Sequence, residues 1–298
     1  RLTAASSSPH LLNMLVLLTS FCLHFIPPMH DDVVAPVAPL MLVQQQDLGE
    51  QLTALDKLMR GKDNQADVLE SIARLRVTAV VLRNQLFAAE NPGEDDSKSE
   101  MKKIIKSSRR DLAKIADNLM GVILHSRRKE ITAENMKIWE SAARSLGQLG
   151  GPGAHDLWQI FSKTKKFRDE ADFLKLCLVE IGTTKDYTKT AVLIDLLDSS
   201  EFLYIAGAAE ALAQFGDAPG KQRRTAVEAL SKLVSQYYEN IQSAPSDEES
   251  QRKYRICSQP MIKALTALTG QKIVRPLEWT AWWNDNKNKS ELWQDKDE

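Results

Sequence analysis

The sequence is poor in aromatic residues and in cysteine. Only 6% of its 298 residues are aromatic, and of its three cysteines Cys22 lies in an apolar N-terminal run. The other two, Cys177 and Cys257, have no second cysteine or histidine at the short spacing of a zinc site, and His125 and His155 are isolated. We therefore expect neither a metal site nor a cofactor.

The chain also lacks the catalytic and phosphate-binding motifs that a sequence can reveal. It contains no Gly-x-Ser-x-Gly elbow and no His-Glu-x-x-His pair. The glycine cluster at Gly147–Gly153 is not followed by Gly-Lys-Ser/Thr, so it predicts a turn between helices. We assign no catalytic residue and interpret the chain as a non-enzyme. Paired carboxylates leave no sequence pattern, so acid–base catalysis stays open at this point.

No charge of one sign dominates, and no stretch alternates polar and apolar residues as a strand does. The formal net charge is −1, which gives no overall attraction to nucleic acid or to an anionic membrane. Hydrophobic residues make up 43% and charged residues 27%, as in globular proteins. Leucine, alanine, lysine and glutamate are frequent and favour helices. We predict an all-α fold.

The feature that stands out is a repeated helical segment that ends in glycine. Small and apolar residues at helical spacing precede Gly150, Gly182, Gly216 and Gly270, which lie 32, 34 and 54 residues apart. Glycine adopts the left-handed conformation at a helix end without steric cost, so we predict that conformation at all four positions. The polar run at 243–250 is expected to supply the longer last step as a loop or a helix extension.

A second apolar run follows each of the first three glycines. Its members are Leu157, Ile160 and Phe161, then Ala191, Ile194 and Leu197, then Val227, Leu230, Leu233 and Val234. Each set falls on one helical face, so the unit is a helix–turn–helix whose apolar face is buried by stacking on the next unit. Cys177 and Cys257 then lie on first helices two units apart, which predicts two free, buried thiols.

Residues 136–283 resemble the HEAT and HEAT-like family of helical repeats. The resemblance depends on the Leu-Gly or Phe-Gly closure of the first helices and on the small residues one or two turns earlier. The segment Leu265–Gln271 followed by Trp279–Asn284 is similar to the end of secreted bacterial HEAT-repeat proteins. The resemblance implies a right-handed α-solenoid of HEAT-like hairpins with a Trp-rich C-terminal cap, which acts as a scaffold for protein partners.

Three parts of the chain are predicted. Residues 1–40 are an apolar leader followed by a non-helical linker, whose prolines are Pro27, Pro28, Pro36 and Pro39. Residues 41–130 form an N-terminal helical extension of three helices, and residues 131–298 form the repeat domain with its cap. The 16-residue apolar run at 11–26 is short for a membrane span and fits a secretory signal, which predicts an extracytoplasmic protein, periplasmic or secreted, and the resemblance implies a bacterial one. Membrane-anchored or cytoplasmic residence is the alternative.

Two groups of residues are candidate binding surfaces. The basic group on the third predicted helix consists of Lys102, Lys103, Lys106, Arg109 and Arg110. Such a face could hold phosphates, but this helix lacks aromatic residues and carries acidic neighbours, so a solvated face is favoured and nucleic acid is not the expected partner. Arg223 and Arg224 are likewise expected to be turn-facing charges.

The tryptophan group is Trp279, Trp282 and Trp283, at spacings of three and four residues. It could form a platform for a ligand or a sugar. The favoured interpretation is that it covers the open end of the stack, with the indole nitrogens near water.

The favoured function is a non-catalytic scaffold whose protein partner the sequence does not name. The alternative is an enzyme that resembles the HEAT-like alkylpurine DNA glycosylases, which would require a cationic groove with acidic and aromatic catalytic residues in a cytoplasmic chain. A third interpretation is an envelope-anchored structural protein that retains residues 11–26.

The mature N-terminus distinguishes these alternatives. We expect the mature chain to lack residues 11–26, because signal peptides are cleaved after small residues, here near Ala35 or Ala38. Intact mass and N-terminal sequencing of protein from its native host measure this directly. A mature chain that keeps residues 11–26 would contradict export by cleavage.

Overall fold

The computed structural model describes residues 37–61, 65–93, 97–124 and 130–295. Within these ranges the backbone forms eleven α-helices, five short 3-10 helices and no strand, so the fold is all-α as predicted. Helices α1 to α6 span Val37–Arg60, Gln65–Glu90, Lys98–Leu124, Ala133–Leu146, Gly151–Lys163 and Ala171–Thr183. Helices α7 to α11 span Thr190–Asp195, Phe202–Leu212, Gly220–Ser243, Glu248–Thr269 and Pro276–Asn286.

Several predictions fall outside the described ranges. The apolar run at 11–26, three of the four linker prolines, Cys22 and His125 are among these residues. Pro39 is described and lies in the first turn of α1, so the prediction that it belongs to a non-helical linker is wrong. Proline is tolerated there because the first backbone N–H groups of a helix have no partner within it. None of the described helices has the length and apolar character needed to cross a bilayer.

Residues 44–298 form one compact unit. In this unit many helices pack on the helix that comes two places later in the chain. In the first row α2 packs on α4, α4 on α6, α6 on α8, and α8 on α10. In the second row α3 packs on α5, α7 on α9, and α9 on α11. Consecutive helices also pair, for example α2 with α3 and α9 with α10. One continuous apolar core therefore runs through the unit, from Leu48 to Trp283.

The two described cysteines are free and lie on separate helices of the first row, as predicted. Cys177 lies on α6 and Cys257 on α10, and both are free and buried. Helix α8 packs against both of these helices and separates them. Burial raises the pKa of both thiols, that of Cys257 to about 11, so neither is a reactive thiolate at neutral pH.

The repeat glycines differ from the prediction. Gly270 ends α10 with a φ of 75° in the left-handed region, as predicted, and Gly150 has a positive φ of 68° but a ψ of −141°, outside that region. Gly182 lies inside α6, and neither it nor Gly216 has a positive φ, so the prediction of a left-handed helix end is wrong for both.

Gly182 and Gly216 instead allow successive helices of the first row to approach each other. A Cβ on Gly182 would lie 2.7 Å from the Cα of Ala211, at the end of α8. A Cβ on Gly216 would lie 2.7 Å from the carbonyl oxygen of Ala267, near the end of α10. Because backbone atoms cannot move aside, glycine is needed here for its lack of a side chain.

The second helices follow the prediction with one exception. Leu157 and Ile160 on α5, and Val227, Leu230 and Val234 on α9, are buried. Helix α7 has only six residues and continues as a 3-10 turn, and its buried side chains include Leu193 and Leu197, whereas Ala191 is exposed. The long last step of the repeat comes from helix extension, since α9 has 24 residues and α10 has 22.

The close contact at Gly182 predicts a large effect of a single methyl group. We expect Gly182→Ala to lower the free energy of unfolding by about 1–3 kcal/mol, because the methyl group forces α6 and α8 apart. Gly49→Ala is the matched control, since a Cβ at this exposed helical position meets no atom within 4 Å. The control should raise stability by up to about 1 kcal/mol. Chemical denaturation measures both, and equal effects would contradict the close-approach interpretation.

Candidate binding groove

A concave surface lies between α9 and the C-terminal segment, and we call it the α9–α11 groove. Two hollows of about 890 and 610 Å³ form it, and both are lined by Glu228. Their lining residues on α9 recur every three or four positions and include Lys221, Arg224, Thr225, Glu228, Lys232, Gln236 and Glu239. These residues share one side of the helix over about 27 Å.

The opposite wall consists of α11 and the residues that follow it. Thr280 and Trp283 come from α11, and Lys287, Ser290 and Trp293 come from its end and from the C-terminal segment. The end of the groove nearest the start of α9 carries the cations of Lys221, Arg224 and Lys287, with the carboxylates of Glu228 and Asp295 beside them. This end is therefore the more basic one.

Arg223 fixes the C-terminal segment to the start of α9. Its guanidinium is buried and donates hydrogen bonds to backbone carbonyls of Ala218 at 2.9 Å and Gln294 at 2.7 Å, with longer bonds to Leu268 and Leu292. A buried cation is tolerable only when its donors are paired, and here carbonyl dipoles take that role. The expectation that Arg223 is a turn-facing charge is therefore wrong, whereas Arg224 is exposed.

The first residue of α9 is the second point of attachment. The backbone N–H of Gly220 donates to Asp295 Oδ1 at 2.5 Å, where a carboxylate is favoured by the positive end of the helix dipole. A Cβ on Gly220 would lie 1.6 Å from the carbonyl oxygen of Trp293, so the segment crosses directly over this glycine. Further along, Ser235 donates to the carbonyl of Pro276 at 2.9 Å and accepts from Thr280 at 2.7 Å, which holds α11 on α9.

The predicted tryptophan group divides between the core and the groove. Trp279 is fully buried, and its indole nitrogen finds no acceptor among the described residues, so the expectation that the indole nitrogens stay near water is wrong for it. Trp283 lines the groove, and Trp282 is partly buried. Both pack edge-to-face on Trp293, with ring centroids 5.8 Å and 6.3 Å away, and Trp293 donates to the carbonyl of Asn286.

The predicted basic group lies on α3. This helix packs on α2, α4 and α5, whereas the groove is formed by α9, α11 and the C-terminal segment. All five side chains are exposed. Arg109 pairs with Glu90 of α2 at 2.6 Å, and Arg110 pairs with Asp111 at 3.2 Å. Asp111 is itself buried and also binds Lys114, and its hydrogen bonds with these cations keep its pKa low despite burial. The structure therefore does not bring the two predicted groups into one site.

A polar cluster that the sequence did not predict ties three helix ends together. Arg83 of α2 donates to the carbonyl of Thr184 at 2.7 Å, and Lys185 pairs with Asp217 at 2.9 Å and also donates to the carbonyl of Gln214. Lys185 has a φ of 60°, the only positive value at a described residue other than glycine. Burial, together with the nearby carboxylate of Asp217, raises the pKa of Tyr187 to about 12. These groups satisfy one another and hold α2, α6 and α8 together.

No group of three or more metal-ligating side chains comes together within the described ranges. Comparison with known protein families finds no match to this chain, and comparison with curated proteins finds none either. One solved structure to which the chain is similar is the crystal structure of an engineered protein, at 14% identity and a TM-score of 0.30. The match covers 73% of this chain and 97% of the other.

Arg223 and Arg224 provide a matched pair for testing how the groove is built. We expect Arg223→Ala to raise amide hydrogen exchange of residues 290–295 by about tenfold or more, because each buried carbonyl left unpaired costs about 1–3 kcal/mol. Arg224→Ala removes an exposed cation and should leave this exchange unchanged. Exchange measured by mass spectrometry gives the answer, and equal protection in both variants would contradict the role of Arg223.

Proposed function

We propose that the protein is a non-catalytic scaffold of the HEAT-like helical-repeat type, which binds an acidic segment of a protein partner in the α9–α11 groove. The proposal includes a right-handed solenoid whose C-terminal end is capped by the tryptophan group. The observation that carries it is the groove itself, about 27 Å long, with both walls fixed to each other and cations at one end.

Fixed walls favour binding because little order has to be created when a partner arrives. Arg223 holds the C-terminal segment, and Ser235 holds α11, both through hydrogen bonds to backbone. The entropy cost of binding is lower for such a surface than for a flexible one. Trp293 adds aromatic area, with a small exposed part of Trp283, and tryptophan often dominates the binding energy of protein interfaces.

The charges at the basic end of the groove favour an acidic occupant. Lys221, Arg224 and Lys287 face the same hollow as Glu228 and Asp295, so the cations are in excess at this end. An extended segment of about eight residues spans the groove length. Acidic residues at one of its ends would complement these cations.

The other interpretations stay predictions. The glycosylase-type enzyme needs a cationic concave groove with acidic and aromatic catalytic residues, and the envelope-anchored protein needs residues 11–26 on the mature chain. Extracytoplasmic residence is proposed on the apolar run alone.

A displayed library of random peptides tests the proposal. We expect the full chain to select peptides rich in aspartate and glutamate, and Lys221→Glu/Arg224→Glu to weaken their binding by about tenfold or more, since each charge pair lost costs up to about 1 kcal/mol and is replaced by repulsion. Fluorescence anisotropy of a selected peptide measures the affinity.

Lys137→Glu/Lys163→Glu is the charge-matched control, because both lysines are exposed and lie on α4 and α5. The control should bind the selected peptide as the unmodified protein does. Selection of peptides without acidic residues, or equal loss of affinity in both double variants, would sink the assignment of this groove.

A further inference from the structure

A second charged surface lies on α3, and we call it the α3 basic face. It consists of Lys102, Lys103, Lys106, Arg109, Arg110 and Lys114. All six are exposed on one long helix and span about 18 Å along it. The exposed acidic residues Glu100 and Asp117 stand at its two ends. The acidic residues 94–96 precede α3 in the sequence and lie outside the described ranges. Lys102, the first residue of the face, comes more than one turn after the start of α3.

Ion pairing divides the three lysines at the start of this face from its other three cations, since Lys114 also pairs with Asp111, at 3.1 Å. Arg109 is bound to Glu90 and Arg110 to the buried Asp111, at 2.6 and 3.2 Å. Lys102, Lys103 and Lys106 have no carboxylate within 4.0 Å among the described residues. Among the described residues, the cations of the face that have no carboxylate partner are therefore the ammonium groups of these three lysines.

An exposed aromatic side chain lies at the edge of this face. Phe87 of α2 is 69% exposed, more than any other aromatic side chain in the described ranges. It stands three residues before Glu90, so the two share one side of α2 and lie one turn apart. Since Glu90 contacts Arg109, Phe87 is one helical turn away from a residue that touches the basic face.

We propose that the α3 basic face binds the anionic lipid headgroups of a membrane surface, with Phe87 entering the interfacial region at its edge. Lysines next to an exposed apolar side chain are the usual composition of such surfaces. Arginine is the cation whose planar fork recognises phosphates and bases together, and both arginines here are engaged by carboxylates, which favours the lipid surface over nucleic acid.

The near-zero net charge of the chain does not prevent this. At physiological ionic strength charges act over only about 8 Å, so a membrane that meets α3 experiences the local lysine cluster and not the sum over the molecule. The face is also independent of the α9–α11 groove, because no residue is shared between them.

Vesicle binding by the full chain tests the proposal. The measured quantity is the ratio of affinities for phosphatidylglycerol-containing and pure phosphatidylcholine vesicles, so that any binding through the apolar run at 11–26 cancels. We expect Lys102→Gln/Lys103→Gln/Lys106→Gln to lower this ratio by about 100-fold, roughly fivefold for each lysine removed. Phe87→Ser should lower affinity for the anionic vesicles severalfold without changing its salt dependence.

Lys137→Gln/Lys163→Gln/Lys263→Gln is the matched control. It removes three exposed lysines on α4, α5 and α10, so the net charge changes equally while the face stays intact. The control should keep the ratio within about twofold, since none of the three lysines belongs to the α3 basic face.

Three results would overturn the proposal. The first is an equal loss in the two triple variants, and the second is the absence of any preference of the unmodified chain for anionic vesicles. The third is tighter binding to a labelled single-stranded oligonucleotide that only the Lys102, Lys103 and Lys106 variant loses, which would reassign the face to nucleic acid.

Discussion

Backbone contact between the ends of successive first-row helices is the constraint on which the rest of the molecule depends. At Gly182 and Gly216 the place of a side chain is occupied by the backbone of the next helix in the row, at Ala211 and Ala267. Such contacts bring two helices closer than larger residues would allow. The apolar side chains on either side then interdigitate, and dispersion and burial stabilise the pair. Each helix pair is thereby positioned by the one before it.

The same close approach decides where polar groups are buried. The carboxylate of Glu180 fills the space over Gly147, where a Cβ would lie 2.3 Å from one of its oxygens. Burial raises the pKa of Glu180, while a hydrogen bond from Thr183 and the charge of Arg144 at 3.5 Å stabilise its ionised form. A buried carboxylate is costly unless it is paired. The pairing of Glu180 on α6 with Arg144 on α4 therefore also fixes the relative position of these two helices.

Both candidate binding sites of this molecule lie at its surface. Helix α9 presents one buried side to the core and the opposite side to the groove, and the C-terminal segment returns over its first turn to complete the second wall. Charge that is balanced over the whole chain is separated locally. Lysines and arginines collect on α3 and at one end of the groove, which is where electrostatic complementarity acts.

Much of the fold could be predicted from the spacing of apolar residues. Val227, Leu230 and Val234 lie on one helical face and are buried together, because a 3.6-residue period places them on the same side of α9. The free cysteines could be predicted as well, since helix spacing alone separates Cys177 from Cys257. These inferences are local, or depend only on counting helices.

The sequence by itself determined the all-α class, most of the helices and many of their apolar positions. Only the tertiary structure decided that Gly182 serves close contact and not a left-handed turn, that Arg223 is buried while Arg224 is exposed, and that Trp283 faces the groove while Trp279 does not. The physical reason is that these outcomes depend on atoms far away in the sequence. A helical period shows which residues share a face, but what meets that face is decided when the helices pack.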